Sequence, residues 1–193
     1  MRARRGAPAG QESARSPLAA VLALGLALAL VASAAWARPL TGQEKAALAA
    51  TVSSFDAAMR EGNHARAAQT VPPKVLAAIA RRAKMTPEAV VAAMVKSMHT
   101  LQGNIESFGI DLGTAIHKEL AGGTPYLLIP TQTTMAVAGT RVQVRSHTLA
   151  LLDEGRWYLL RVNNAPQVQI LREVYPEFAG VEFPRGSTEM LNP

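Results

Sequence analysis

Four side chains in the second half of the chain have types suited to chemistry: Asp111, Tyr126, His147 and Arg161. His147 and Asp111 can titrate, Tyr126 can donate a hydrogen bond, and Arg161 is a cation able to hold an anion. Arg141, Gln143, Arg145 and His147 alternate along one strand-like segment, so they share a face. Whether Arg161 joins that face depends on one turn. In LALLDEGRWYLLRV, residues 149–162, two apolar runs flank Asp153-Glu154-Gly155. A loop of all three residues sets His147 opposite Arg161, pairs Leu152 with Arg156 and Leu151 with Trp157, and builds a small anion-binding patch. A loop of Glu154-Gly155 alone sets Trp157 opposite Leu152 and His147 opposite Val162, and the patch dissolves. The plainer reading treats Arg141, Gln143 and Arg145 as the solvated face of an antiparallel strand.

Catalysis demands more than suitable residue types. Acid–base work needs one group of tuned pKa and a second that stabilises developing charge, both within reach of one substrate. Nothing in the spacing of Tyr126, His147 and Asp111 makes them converge. Asp111 is the only Asp expected inside a strand, on the face opposite Phe108 and Ile110, and it has no evident partner. Asp56, beside Phe55 in a helical segment, reads as a solvated position. There is no nucleophile elbow for Ser-His-Asp chemistry and no phosphate-binding glycine loop. Met94 and Met98 stand at i and i+4, a soft-ligand spacing that copper can use. His99, however, points about 100° away from Met98 around a helix. Methionine at this spacing also suits flexible core filling. No metal, no cofactor and no catalytic residue is therefore expected.

Composition narrows the setting. Arg2, Arg4 and Arg5 precede an uncharged run from Leu18 to Val31, and Ala35-Trp36-Ala37 supplies a small-x-small cleavage motif. Residues 1–37 read as a signal peptide cut between Ala37 and Arg38, delivering the protein to the periplasm or the exterior. An uncleaved anchor is the rival, because Ser16 to Ala37 is long enough to span a bilayer. Arg4-Arg5 lie too far from the apolar run to support twin-arginine export. The chain has no cysteine, so disulfides, thiolate metal sites and a lipidated N-terminal cysteine are excluded. Four of the 20 basic and one of the 14 acidic residues fall within residues 1–37, leaving a net charge of +3 beyond them. That remainder has no basic block and no basic stripe interleaved with aromatics, so nucleic-acid binding has no support. Its length suffices for one ordinary domain burying roughly 70% of its extended surface.

Periodicity assigns the elements that must position these side chains. Thr41 with Glu44 forms a capping box for a first helix, whose Leu48, Val52, Phe55 and Met59 make one buried stripe. Gly62-Asn63 ends it. A short helix runs from His64 to Val71 and stops at Pro72-Pro73. A third helix buries Val75, Leu76, Ile79 and Ala83. The fourth opens at Thr86-Pro87-Glu88 and faces Val90, Val91, Met94, Val95 and Met98 inward. Strands follow at 104–112, weakly at 115–120, then at 126–137, 141–152 and 156–162. Pro130 implies a bulge or an edge position. Asn164 caps a last helix to about Val174, after which Tyr175, Phe178 and Phe183 pack back. The organisation expected is a single α+β domain over 38–180, with a tail at 181–193.

Two stretches carry a family resemblance. Phe55-Asp-Ala-Ala-Met-Arg-Glu-Gly62 and Asp153-Glu-Gly-Arg-Trp157-Tyr-Leu-Leu-Arg-Val162 resemble the first helix and the terminal hairpin of the nuclear transport factor 2-like superfamily. They bracket residues 41 to 163. The chain departs from that pattern in having Asn63 where an acidic residue is usual and an added helix pair at about 73–101. The resemblance implies a cone: N-terminal helices packed on a curved antiparallel sheet, with a short C-terminal helix, as in ketosteroid isomerases, polyketide cyclases and many exported bacterial proteins. It implies structural roles for Phe55, Gly155 and Trp157, the last burying on the order of 200 Å². Isomerase chemistry of that family needs a carboxylate base with a Tyr and a protonated acid. The tyrosines at 126, 158 and 175 do not reproduce that dyad.

A non-catalytic domain is thus expected, holding a small apolar or lipid-like ligand or an envelope protein partner, with a homodimer as a candidate assembly. Leu127, Ile129, Val142, Val144, Leu149 and Leu160 are the expected apolar lining, with Tyr126, His147, Arg161 and Asp111 as polar contacts. The competing expectation is a cone-pocket isomerase or dehydratase using His147 and Asp111.

Overall fold

The computed structural model describes residues 37–191. The expected leader therefore lies outside the described residues except for Ala37.

The first helix begins where the capping box requires. The Thr41 hydroxyl accepts from the Glu44 amide at 3.1 Å, and the Glu44 carboxylate accepts from the Thr41 amide at 2.8 Å. The Arg38 guanidinium grips the same carboxylate at 2.7 and 2.9 Å. That contact chiefly, and then the Thr41 amide, hold the Glu44 pKa down at about 2. Helix α1 runs Gly42–Arg60 and buries Leu48, Val52 and Ala58. Gly62 then takes a left-handed φ of +67°. Asn63 caps α2 (His64–Ala68) by accepting from the Arg66 amide, and α3 (Pro73–Ala83) follows. Thr86 caps α4 (Pro87–Gln102). The second helix thus stops short of the expected Val71, although its last turn continues through amide bonds from Thr70 and Val71.

Six strands form one antiparallel sheet: β1 (Ile105–Ile110), β2 (Ile116–Glu119), β3 (Pro125–Val137), β4 (Thr140–Asp153), β5 (Arg156–Arg161) and β6 (Ser187–Leu191). The order is β1-β3-β4-β5. Beyond that path, β2 pairs with β3 and β6 pairs with β4. The sheet curls strongly into a half-barrel, with helices N-terminal to it and α5 (Ala165–Val174) after it. The expected α+β class with a curved sheet is what the chain adopts.

Pro130 sits inside β3 for a specific reason. One edge of β3 pairs with β2 along Pro125–Leu128 and with β1 along Thr131–Met135. Pro130 lies at the seam between them, and its carbonyl accepts from the Asp111 amide at 3.0 Å. In a strand the N and C=O of one residue point the same way, so the missing donor faces the seam and leaves no ladder bond unmade. Neither a bulge nor an outer edge is needed.

The β4–β5 turn settles the register. Leu152 pairs with Trp157 and Asp153 with Arg156, so the loop is Glu154-Gly155 alone. Both residues have positive φ, 51° and 76°, the geometry of a tight hairpin turn whose twist matches its strands. The β4–β5 ladder ends at Thr148–Arg161, so His147 does not oppose Arg161. The shorter-loop alternative holds.

Both sheet faces are buried, by different elements. On one face, Leu48 and Val52 of α1 cover Leu127, Ile129, Ala150, Trp157 and Leu159. On the other, Val75 of α3, Leu171 of α5, Tyr175 and Phe178 cover Leu128, Leu149 and Leu151. Within the segment expected as a tail, Ser187–Leu191 forms β6. It pairs with Arg141–Arg145 of β4, on the edge whose other end carries β5. Helix α4 buries only Val90 fully, while Val91, Met94, Val95 and Met98 are half-covered. It packs chiefly on α2 and α3, not on the sheet. Among the described residues no helix is long and apolar enough to cross a membrane.

Candidate functional site

The helices do not fill the curl of the sheet. A cavity of about 140 Å³ remains on the α1 face. Phe55 and Met59 of α1, His64 of α2, and Met98 and Leu101 of α4 form one wall; Phe108, Val144 and Arg161 belong to the strand wall. The parity follows from the register. Phe108 pairs with Thr133, Thr133 with Val144, and Thr148 with Arg161, so these side chains share the face on which α1 lies. Phe55 meets Phe108 edge-on, with ring centroids 5.8 Å apart.

The polar atoms in the strand wall are mostly satisfied internally. Thr131 Oγ1 donates to the Ile129 carbonyl at 3.2 Å, so Thr148 Oγ1 is the donor in the 2.9 Å contact between the two hydroxyls. Both residues are buried, and a paired hydroxyl presents a nearly apolar surface. His64 is buried at 2% exposure, and its Nε2 donates to Gln102 Oε1 at 3.0 Å. Its Nδ1 is left buried without a partner, and its ring meets His99 edge-on at 5.2 Å. Gly62 makes room for this arrangement: a Cβ there would stand 2.2 Å from Gln102 Nε2, at a φ that disfavours any side chain.

Among the described residues, Arg161 is the one charged residue lining this cavity. Its guanidinium is held by Asn163. In the amide orientation that satisfies both neighbours, the Asn163 oxygen accepts from Arg161 Nε at 3.1 Å and Nη2 at 2.7 Å, while its nitrogen donates to the His147 carbonyl at 3.3 Å. Burial pushes the Arg161 pKa down from its ordinary value, although part of the side chain remains exposed to water. The two observations agree for a side chain lying in a cleft, reachable by water yet surrounded by protein.

The other expected contacts go elsewhere. Tyr126 is buried in the opposite core, edge-on to Phe178 at 5.3 Å, and burial raises its pKa. His147 and Asp111 line a broad, open groove on the opposite side of the sheet, together with Arg145 and Arg185. Asp111 is not inside a strand. It follows β1 and caps a 3-10 turn (Leu112–Thr114), accepting from the Gly113 amide at 2.9 Å and the Thr114 hydroxyl at 2.8 Å. Asp56 is not solvated either: one carboxylate oxygen binds Arg60 and the other is buried without a partner. Of the six expected apolar lining residues, Val144 alone lines this cavity. Leu127 and Ile129 pack under α1, and Leu149 and Leu160 belong to the opposite core.

The expected solvated face of β4 carries ion pairs, Arg141 with Glu106 at 2.7 Å and Arg145 with Glu189 at 3.3 Å, while Gln143 Oε1 is buried unpaired. Of the two methionines weighed for copper, Met98 faces the cavity and Met94 is half-covered. Among the described residues no cluster of three His, Cys, Asp or Glu is placed to hold a metal ion.

Sequence reasoning missed His64 and Met59 as lining residues. A signal existed for Met59, since the buried stripe of α1 ends on it. None existed for His64, whose burial depends on Gln102, 38 residues away.

Among the described residues, the fold and cavity define a class: a helix-covered, curled antiparallel sheet with a small, mainly apolar chamber lined by one cation, Arg161. No family model, no curated protein and no solved structure matches the chain.

Proposed function

We propose that this domain binds a small, mainly apolar molecule in the chamber between α1, α2, α4 and the sheet, and does not transform it. The observation behind this reading is the composition of the chamber wall, mainly aromatic and aliphatic, with the hydroxyls of Thr131 and Thr148 paired to each other. Among the described residues no carboxylate lines the chamber beside His64 and Arg161. The half-buried, methionine-bearing face of α4 forms part of the wall, and methionine adapts readily to the shape of an occupant. Membership of the nuclear transport factor 2-like superfamily is part of the proposal. It rests on the two quoted motifs and on the curled sheet beneath N-terminal helices.

Binding is tested with neutral probes, hexanol and benzyl alcohol, by thermal midpoint and by native mass spectrometry of purified protein. A ligand at a hundred times its Kd should stabilise the fold by about 2.7 kcal/mol. For a domain this size that is a rise of roughly 5–11 °C. Val144→Phe, which fills the chamber, should remove the effect, and His147→Ala, on the other face, should leave it within a few-fold. Turnover of an isomerase or dehydratase substrate, abolished by His147→Ala or Asp111→Asn in a folded protein, would overturn the binding reading.

We further propose that the protein is exported and cut between Ala37 and Arg38. The basic start, the apolar run and Ala35-Trp36-Ala37 support this, and so does the surrounding of Arg38. Its amide nitrogen lies 2.6 Å from Glu119 Oε2, while its side chain reaches Glu44 and the Gly123 carbonyl. Cleavage would convert that amide into an ammonium facing a carboxylate. Mass spectrometry of the envelope fraction should find a chain starting at Arg38; an intact chain from Met1 in the membrane fraction favours the anchor.

A further inference from the structure

We infer that the occupant of the chamber is a small monocarboxylate with a compact apolar body, its carboxylate seated on Arg161; this rests on the chamber being a binding site. Three observations lead there.

The first is a cation in a cleft, partly desolvated and lacking an anion. No carboxylate among the described residues lies within salt-bridge distance of Arg161, although seven other cations have such partners. A charge drawn out of water is costly unless it is paired and hydrogen-bonded. The lowered pKa of Arg161 comes from that same desolvation.

The second is orientation. The guanidinium has five N–H donors in a fixed fork. The Asn163 oxygen takes one on Nε and one on Nη2, leaving three free, two of them on Nη1. Asn163 is itself tied to the His147 carbonyl, so the fork is braced through the end of β5 to β4. A braced fork with free donors suits the two oxygens of one carboxylate. A phosphate suits it less, because its charge of about −1.5 to −2 at neutral pH would leave excess charge against apolar walls.

The third is size. A chamber of about 140 Å³ falls below the range usual for drug-sized ligands, which starts near 300 Å³. It is close to the apolar cavity of about 150 Å³ known to hold one benzene ring. One ring or a short alkyl chain fits such a space, and a long acyl chain does not. The proposed ligand is therefore a benzoate- or hexanoate-like acid.

The experiment compares benzoate and hexanoate with benzyl alcohol and hexanol by titration calorimetry. It uses wild type, Arg161→Met and Val144→Phe, with circular dichroism to verify folding. In wild type the acids should bind more tightly than the alcohols by roughly ten- to hundredfold, the worth of a hydrogen bond to a charged group. Arg161→Met should erase that advantage while holding alcohol affinity within a few-fold, and Val144→Phe should weaken both. Arg161→Gln serves if the methionine variant does not fold. If acids and alcohols bind wild type alike and Arg161→Met changes nothing, the carboxylate assignment is wrong and the chamber remains a neutral site. If acids bind but Val144→Phe leaves them untouched, they bind elsewhere and the assignment is also wrong. If neither class binds wild type, the chamber is not a site and both readings fall.

Discussion

Trp157→Ala is expected to destabilise the domain by about 3–5 kcal/mol, the usual cost of emptying a buried tryptophan site. For a chain of this size that lowers the thermal midpoint by roughly 6–20 °C. Trp157 is 2% exposed and lies at the centre of the α1-face core with Leu48, Val52, Leu127 and Leu159. It also does what no aliphatic residue can: Nε1 donates to the Glu44 carbonyl at 3.0 Å. That bond ties the first turn of α1 to the β4–β5 hairpin across 113 residues of sequence. Trp157→Phe keeps most of the burial and loses the bond, so it should cost less, near the 1 kcal/mol typical of one hydrogen bond plus a small packing term. Denaturant titration of both variants separates the two contributions. A midpoint shift of only a degree or so for the alanine variant would place Trp157 at the surface, and its structural role would be lost.

The β4–β5 hairpin was readable because its chemistry is local. Glu154-Gly155 needs only the flanking apolar runs to be recognised as a turn, yet one residue of ambiguity in its length decided whether His147 met Arg161. Sequence alone could not remove that ambiguity, because a non-glycine residue at positive φ, here Glu154 at 51°, is uncommon and gives no advance sign. The capping box of α1, the Thr86 cap and the Asn164 cap were equally local, and all form as expected.

What escaped was which sheet faces are buried. Tyr126-Leu-Leu-Ile129, Leu149-Ala-Leu-Leu152 and Trp157-Tyr-Leu-Leu160 do not alternate, and a continuous apolar run is the mark of a strand covered on both sides. Beyond them β3 and β4 turn to mixed sequence, as in Thr131-Gln-Thr-Thr134 and Arg141-Val-Gln-Val-Arg145. The same two strands are thus sandwiched at one end and only partly covered at the other. Leu149 and Leu160, expected to line one cavity with Leu127, Ile129, Val142 and Val144, belong to the opposite core. Tyr126, expected as a polar contact, lies in that same core. The separation of Arg161 from His147 and Asp111 has the same origin: they are on opposite faces, and parity depends on a register that no single strand specifies. Strand β6 was missed because its five residues, Ser187 to Leu191, are exposed or half-covered and carry no apolar period.

The opposite-face core yields the second large effect. Phe178 is 1% exposed, and its ring meets three others: Tyr126 at 5.3 Å, Tyr175 at 6.5 Å and Phe183 at 6.1 Å. Phe178→Ala should therefore cost about 3–5 kcal/mol, near the upper end because edge-on aromatic contacts are lost along with burial. Phe178 stands in a 3-10 turn after α5, so the loss would show that the segment beyond residue 174 is part of the fold's core. A cost below about 1 kcal/mol, the level of a surface substitution, would instead make that segment an appendage. Because Trp157 and Phe178 lie in separate clusters on the two sides of the sheet, their effects should add. Their sum, roughly 6–10 kcal/mol, reaches into the 5–15 kcal/mol by which a whole domain is stable. The double variant should accordingly be unfolded, or close to it, in the absence of ligand, while each single variant folds. A double variant that retains a cooperative transition near the midpoint of either single one would mean that the two cores are coupled through the sheet, not independent.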